Sequence, residues 1–367
     1  MPHLHIVAFN VPWPADYGGV IDVYYRIVGL AKAGVKVHLH CYTYGREMAE
    51  PLAKICEEVC YYQRETGWRN QFNRRPYIVA SRRSEDLISK LEKDDYPILL
   101  EGLHDCYVLE RLAETGRKIT VRAHNVEHDY YQALAKAEKS AWKRLFYAVE
   151  SRKLRKYEPV LAKASAILAI NSADAAYFKH QGYPIVEVVP PSHGHGVVES
   201  LVGKGQYALY HGNLSVAENI SAVDYLLENI VDKMDFLFVV AGRNPDDSLK
   251  AKVARHGNVK LVANPSDAEM RDLLREAQVN VLFTNQDTGV KLKLLNALYE
   301  GRHCLVNSKM VQGTGLDSLC HVADNLLEQI DLLRKLMLQE FGEDSIASRQ
   351  KMLENVCSFD EIKNIIL

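Results

Sequence analysis

The chain runs to 367 residues, 47% of them hydrophobic and 25% charged. A single hydrophobic core stops growing at about 250–300 residues, so two domains are expected. The 45 basic against 47 acidic side chains leave a formal net charge of -2, without the basic excess of a nucleic-acid binder.

Seven cysteines are scattered without a CxxC pair, which indicates neither a zinc nor a disulfide framework and makes buried free thiols the expectation. The N-terminal MPHLHIVAFNVPWP has neither a basic stretch nor a long apolar one, so no signal peptide is expected. No apolar run approaches the roughly 20 residues of a membrane-spanning helix, and a cytoplasmic location is expected.

In chain order, Leu4–Phe9 is an apolar, β-prone run that ends in a turn containing Pro12, Pro14, Gly18 and Gly19. Val23, Ile27, Leu30 and Ala31 then recur on one helical face up to Gly34, and Val35–Cys41 alternates like a strand. This is a βαβ unit. Strands are predicted at 97–101, 118–122, 166–170 and 185–189, helices at 84–94 and 105–115, and a long helical region at about 129–163. Residues 190–205 hold Pro190, Pro191, Ser192, Gly194, Gly196, Gly203 and Gly205, a turn-rich composition that suggests a linker. Beyond it strands are predicted at 206–211, 235–241, 258–262, 279–283 and 303–306, with helices at 218–230, 246–255, 267–276 and 290–300. From 325 onward the pattern is helical.

Alternating strands and helices argue for two α/β domains with parallel sheets. The predicted organisation is 1–190, a linker at 191–205, 206–345, and a terminal helical segment at 346–367. Ligands of such sheets bind beyond the carboxyl ends of the strands, in a crevice. Each motif can be tested against that rule. Gly18 and Gly19 sit between the first strand and the first helix, where the backbone allows close approach of a phosphate or sugar. They do not form GxGxxG, which argues against a dinucleotide dehydrogenase. His124 follows a predicted strand and points from its tip toward the ligand. Residues 124–128 read His-Asn-Val-Glu-His, which also fits the HxxEH zinc-peptidase pattern, provided that both histidines share a helix. In the stretch 287–306, Gly289 and Val290 open a helix directly after a strand, and Lys291 and Lys293 add charge to its positive end. That combination is a candidate diphosphate cradle.

The 287–306 stretch resembles the C-terminal domain of the retaining family-four glycosyltransferases, through Gly289, Lys293, Leu295, Ala297, Leu298, Gly301, Leu305 and Val306. His211-Gly-Asn-Leu214, Val239-Val-Ala-Gly-Arg243 and the run 259–283 resemble further pieces of that domain. Tyr17-Gly-Gly19 and His124-Asn-Val-Glu127 resemble the glycine loop and strand tip of its N-terminal partner. The resemblance implies the GT-B fold, two Rossmann-like parallel-sheet domains facing across a cleft. It further implies sugar transfer from a nucleotide-diphosphate donor to a glycan or lipid-linked acceptor, with retention, and with no metal or cofactor beyond the donor. By the same resemblance His124 is the catalytic-site residue beside the transferred sugar. Gly18, Gly19, Arg243, Gly289, Val290, Lys291 and Lys293 hold the phosphates. Asn213, Thr288 and Asn296 contact ribose and donor. The family's two glutamates, eight residues apart, are replaced here by Thr288 and Asn296.

Three other readings stay open: a GT-B protein that binds a nucleotide or glycan without transfer, a zinc peptidase, and a sugar-nucleotide epimerase. Lys139, Lys143, Arg144, Arg152, Lys153, Arg155 and Lys156, interleaved with Trp142, Leu145, Phe146 and Val149, form either a solvated helix face or a peripheral contact with the inner face of an anionic membrane.

Overall fold

The computed structural model describes residues 1–138, 140–183, 185–285, 291–354 and 359–367. It divides into two compact units, Met1–Gly194 together with Cys357–Leu367, and His195–Val356. The first unit holds strands β1 (His3–Ala8), β2 (Lys36–Thr43), β3 (Glu58–Gln63), β4 (Ile98–Glu101), β5 (Ile119–Ala123), β6 (Ala166–Ala169) and β7 (Val186–Val188). They form one sheet in the order β3-β2-β1-β4-β5-β6-β7, parallel throughout. The second unit holds β8 (Tyr207–Asn213), β9 (Phe238–Arg243), β10 (Val259–Ala263), β11 (Ala277–Leu282), β12 (His303–Val306) and β13 (His321–Val322). Their order is β10-β9-β8-β11-β12-β13, again parallel. In each sheet the winding direction reverses once, between β1 and β4 and between β8 and β11. Those are the two topological switch points, where open α/β sheets bind ligands.

Helix Gly18–Lys32 buries Val20, Val23, Ile27 and Leu30, its stripe at helical spacing. The C-terminal helix Phe359–Ile366 adds Ile362 and Ile366 to the same core. Its Phe359 ring lies so close to Gly29 that a Cβ there would come within 2.3 Å, and Lys363 Nζ donates to Ala33 O at 3.0 Å. The expected boundary at 345/346 falls elsewhere, because helix Glu343–Leu353 is pinned to the second unit. Its buried Arg349 donates to Gly301 O at 2.6 Å and to Arg302 O. The expected linker 191–205 spans the boundary between the two units, and each end is bonded within its own unit. Ser192 N donates to Asp22 Oδ1 at 2.6 Å in the first unit. Val198 N donates to Gln350 Oε1 at 2.7 Å in the second.

Two expectations differ locally. The helical region at 129–163 is a hairpin, Glu127–Ala137 and Ala141–Tyr157, because Glu138 adopts an extended ψ and its carboxylate accepts from Ser140 N at 2.9 Å. Tyr131 and Tyr147 meet across it with centroids 5.8 Å apart. Strand β3 has no counterpart among the predicted elements, since its half-buried side chains show no clean alternation. None of the six described cysteines forms a disulfide. Among the described residues, no helix is long and apolar enough to cross a membrane.

One face of β1 and β2 carries a buried polar chain. Asp94 Oδ1 lies 3.0 Å from His5 Nε2, His5 Nδ1 lies 2.8 Å from His40 Nε2, and His40 Nδ1 lies 2.9 Å from Tyr62 Oη. The ionised carboxylate only accepts, so His5 donates through Nε2. Burial keeps both rings neutral, so His40 donates to His5 and the Tyr62 hydroxyl donates to His40. Burial pushes His5 down to about 4 against the pull of Asp94, and pushes His40 well below its ordinary value.

Two predictions follow from this packing. A Cβ on Gly242 would lie 1.8 Å from Gly212 O, a backbone atom that cannot yield, so Gly242→Ala destabilises the second unit by about 3 kcal/mol or more in urea unfolding. The unfolded chain binds the His5 proton more tightly than the folded one. Stability is therefore complete above about pH 6.5 and is lost as pH falls toward about 4, by roughly 3 kcal/mol from His5 alone. Urea midpoints between pH 7 and 5, with ring resonances of His5 and His40 that stay constant over that range, check this.

Candidate functional site

At the first switch point the carboxyl ends of β1, β4 and β5 meet the start of helix Gly18–Lys32. Asp22 and Arg26, one helical turn apart, are wholly buried there with Glu101 of β4 and Arg122 of β5. Arg26 Nε donates to Glu101 Oε1 at 2.9 Å and Nη2 reaches Asp22 Oδ2 at 2.5 Å, while Arg122 Nε donates to Asp22 Oδ2 at 3.0 Å. Burial pushes the Asp22 carboxyl up, but Arg122 and Arg26 outweigh it and hold the group well below the carboxylate range. Glu101 is lowered in the same way, burial being overcome by Arg26 and His124. His124 is only 6% exposed. Its Nε2 lies 3.0 Å from Glu101 Oε2, its Nδ1 lies 3.6 Å from Asp22 Oδ2, and Phe9 meets the ring edge-on with centroids 5.6 Å apart.

The strand-tip position of His124 is as the sequence indicates. Its ring, however, is turned onto two carboxylates. Asp22, Glu101 and His124 come close enough to share an ion, yet two guanidiniums already occupy the same carboxylates. A divalent cation would add its charge to theirs. The HxxEH geometry fails outright. His124 precedes helix Glu127–Ala137 and faces Glu101, whereas His128 lies on the helix with Nδ1 3.0 Å from Glu158 Oε2.

Gly18 and Gly19 open helix Gly18–Lys32, and Tyr17 supplies no side-chain cap. A Cβ on Gly19 would lie 3.1 Å from Phe9 Cζ, so this glycine lets the helix start rest on the aromatic ring. Close by are groups that carry no motif. The Asp105 carboxyl is buried with both oxygens lacking a hydrogen-bond partner among the described residues, and burial drives it well above the ordinary range. Arg82 is buried and donates through Nε to Phe9 O at 2.8 Å. Burial raises Glu127 to about 7 and Asp174 to about 6, and each adjoins the carboxyl end of a strand, β5 and β6.

At the second switch point, Asn213 ends β8, Arg243 ends β9 and Thr284 follows β11. Asn213 Oδ1 accepts from Ser215 Oγ at 2.8 Å, and Arg243 Nη2 reaches the exposed Asp267 at 3.2 Å. Helix Leu292–Glu300 opens at Lys291, which gives no side-chain cap. Lys293 Nζ donates to Asn219 Oδ1 at 3.0 Å and lies 5.6 Å from the Tyr210 ring centroid. Asn219 is itself fixed by the Tyr210 hydroxyl and by Asn213 O. Burial lowers Lys293 to about 8, Glu218 opposing and Lys291 assisting. Thr284 Oγ1 donates to Glu218, so that carboxylate is brought to Lys293 from another element. Asn296 Oδ1 accepts from His195 Nε2 at 2.9 Å, and the His195 ring stacks on Tyr299 at 4.8 Å. The ribose-contact role expected for Asn296 competes with that bond. Thr288, Gly289 and Val290 lie outside the described residues.

Asp22, Arg26, Glu101 and Arg122 escape motif reading, yet they leave a signal: each is a charge inside an otherwise apolar stripe or run. Glu218 leaves none.

No family model matches the chain. It is 27% identical over 336 residues to an uncharacterized 44.6 kDa protein in the cps region of Klebsiella pneumoniae, covering 86% of this chain and 85% of the relative. Among solved structures it is similar to the lipopolysaccharide outer core galactosyltransferase WaaB, at 13% identity over 99% of each chain with a TM-score of 0.65. WaaG, a glycosyltransferase involved in lipopolysaccharide biosynthesis, matches with the same values. Sucrose-phosphate synthase from Thermosynechococcus elongatus matches at 12% identity over 100% of this chain and 95% of that one, with a TM-score of 0.64. The fold is GT-B. These GT-B neighbours share the two-sheet architecture, and at such identities they carry the fold alone.

Asp22→Asn removes one buried carboxylate charge from between two guanidiniums. Urea unfolding of this variant is expected to lose about 3–5 kcal/mol. Combining it with Arg122→Met restores part of the loss, because the unpaired cation goes with its partner, and a double-mutant cycle measures that coupling.

Proposed function

We propose that the protein is a glycosyltransferase that moves a sugar from a nucleotide-diphosphate donor to a glycan or lipid-linked acceptor, with retention, in the manner of the family-four enzymes. The observation that carries this reading is the half-buried Lys293 ammonium, fixed by Asn219 at the switch point of the second sheet, beside the uncapped start of helix Leu292–Glu300. The GT-B fold and the relative in the cps region support the class of reaction.

Transfer leaves a nucleoside diphosphate, and its terminal phosphate gains negative charge as the sugar departs. Helix N–H groups and preorganised cations aimed at that charge lower the barrier. In this reading Lys293 and Lys291, with Arg243 and the segment around Gly289 and Val290, hold the diphosphate. Asn213, Thr288 and Asn296 contact ribose and sugar hydroxyls, and Glu218 keeps Lys293 charged. On the acceptor side Gly18 and Gly19 allow close approach, and His124, oriented by Glu101, lies beside the transferred sugar. No cofactor beyond the donor is required, and the reaction is cytoplasmic.

One observation favours a second reading, binding without transfer. Thr288 and Asn296 offer no carboxylate, and Asn296 is already engaged by His195. Release or transfer of sugar in a donor screen separates the two.

A thermal-shift screen against nucleotide sugars finds the donor by mass action. Calorimetry with the matching nucleoside diphosphate then tests the cradle. Lys293→Ala is expected to weaken binding about ten-fold or more, the worth of one charged hydrogen bond. Because the ammonium is lost as pH rises through about 8, wild-type affinity should fall between pH 7 and 9. Equal affinity in the variant together with a flat pH profile would remove Lys293 from the site.

A further inference from the structure

Helix Ala141–Tyr157 packs inward through Glu150 and Leu154, yet it carries a second apolar stripe that no described residue covers. Trp142, Leu145 and Val149 recur at i, i+3 and i+7, and Trp142 and Leu145 are 83% and 56% exposed. The short helix Trp68–Phe72 lies alongside, because Lys153 Nζ donates to Gln71 O at 2.6 Å and Tyr77 meets Phe146 with centroids 6.2 Å apart. It adds Trp68 at 67% and Phe72 at 80% exposure. Scattered exposed apolar residues need no explanation, but large ones gathered on adjoining elements do.

The charge around these residues is predominantly basic, with Glu65 before Trp68 and Glu138 before the helix as the acidic neighbours. Helix Ala141–Tyr157 bears six basic side chains and a single carboxylate, Glu150, which is buried and neutralised by Lys153 at 2.7 Å. Lys136, Arg144 and Arg152 line a shallow depression on the same helical hairpin. Arg69 and Arg74 extend the field beside Trp68 and Phe72.

We propose that this face docks on an anionic lipid bilayer, with Trp142, Leu145, Trp68 and Phe72 seated at the headgroup–acyl boundary and the basic side chains on lipid phosphates. Indole rings favour that boundary, and each nearby basic residue contributes about 1 kcal/mol on an anionic surface. A second copy of the chain would bring like charges together. A nucleic acid offers phosphates but no apolar phase for Leu145 and Val149. The proposal does not rest on sugar transfer, since docking is read without turnover.

The test is co-sedimentation of the full chain with vesicles of equimolar phosphatidylglycerol and phosphatidylcholine, against phosphatidylcholine alone. The chain should pellet with the first and stay in solution with the second, and salt should weaken the binding. Trp142→Ser with Leu145→Ser should lower partitioning about ten-fold, and Arg152→Glu with Lys156→Glu should do likewise. Their melting temperatures should be unchanged, because these side chains are exposed. Lys293→Ala should pellet like the wild type. Partitioning that ignores lipid charge, or that survives both double variants, overturns the proposal. So does a concentration-dependent dimer or RNA binding that is lost with the same substitutions while vesicles fail to pellet the chain.

Discussion

The first unit is organised by four charges placed out of reach of water. Asp22, Arg26, Glu101 and Arg122 are each buried, and each is tolerable only because its neighbours hold the opposite sign at hydrogen-bond distance. Such a network has few degrees of freedom. It fixes the first turns of helix Gly18–Lys32 to the tips of β4 and β5. Through Ser192 N on Asp22 and Pro190 O on Arg122 Nη2 at 3.3 Å, it also fixes the chain that leaves β7. The glycine pair over Phe9 and the orientation of His124 are consequences of that locking. Shifting any one of the four carriers would strand a charge.

That interaction explains what the sequence reveals and what it conceals. Apolar runs such as Ile98–Leu100 announce a buried strand, and the alternation of runs with helical stripes announces parallel sheets. Hence both Rossmann-like halves and the strand-tip position of His124 are legible. Pairing across the fold is not. Arg26 finds Glu101 75 residues away, and Arg122 finds Asp22 100 residues away. Only the oddity of a charge within each run hints at a partner. Strand β3 escapes because Cys60 and Tyr62 are half-buried like Val59 and Tyr61, so the period of two carries no contrast. The helix break near Glu138 escapes because it depends on one backbone dihedral and one side-chain acceptor rather than on proline or glycine.

In the second unit the legible part is the basic helix start, with Lys291 and Lys293 following directly on a strand and a glycine. The concealed part is the shell that positions Lys293. Asn219 and Glu218 read as ordinary residues of an amphipathic helix, and Thr284 as the end of a strand. Their convergence follows from β8 and β11 being neighbours across the switch point, a property of topology rather than of local pattern. Asn307 completes the arrangement by exchanging two hydrogen bonds with Thr284, at 3.1 and 2.7 Å, which ties the tip of β12 to that of β11.

Set side by side, the two carboxyl edges differ in electrostatic character, and the difference bears on which one takes an anion. In the first, two guanidiniums and two carboxylates cancel inside the protein, so the edge orients a neutral or hydroxyl-bearing group better than it attracts a phosphate. In the second, Lys291, Lys293 and Arg243 face one buried-side carboxylate, Glu218, and the exposed Asp267, whose hold on Arg243 is weak in water. Burial lowers the Lys293 pKa only to about 8, so the ammonium persists at neutral pH and an arriving anion would offset part of its desolvation. The second edge thus has the electrostatic character that suits an anion, and the first the character that suits hydroxyl groups.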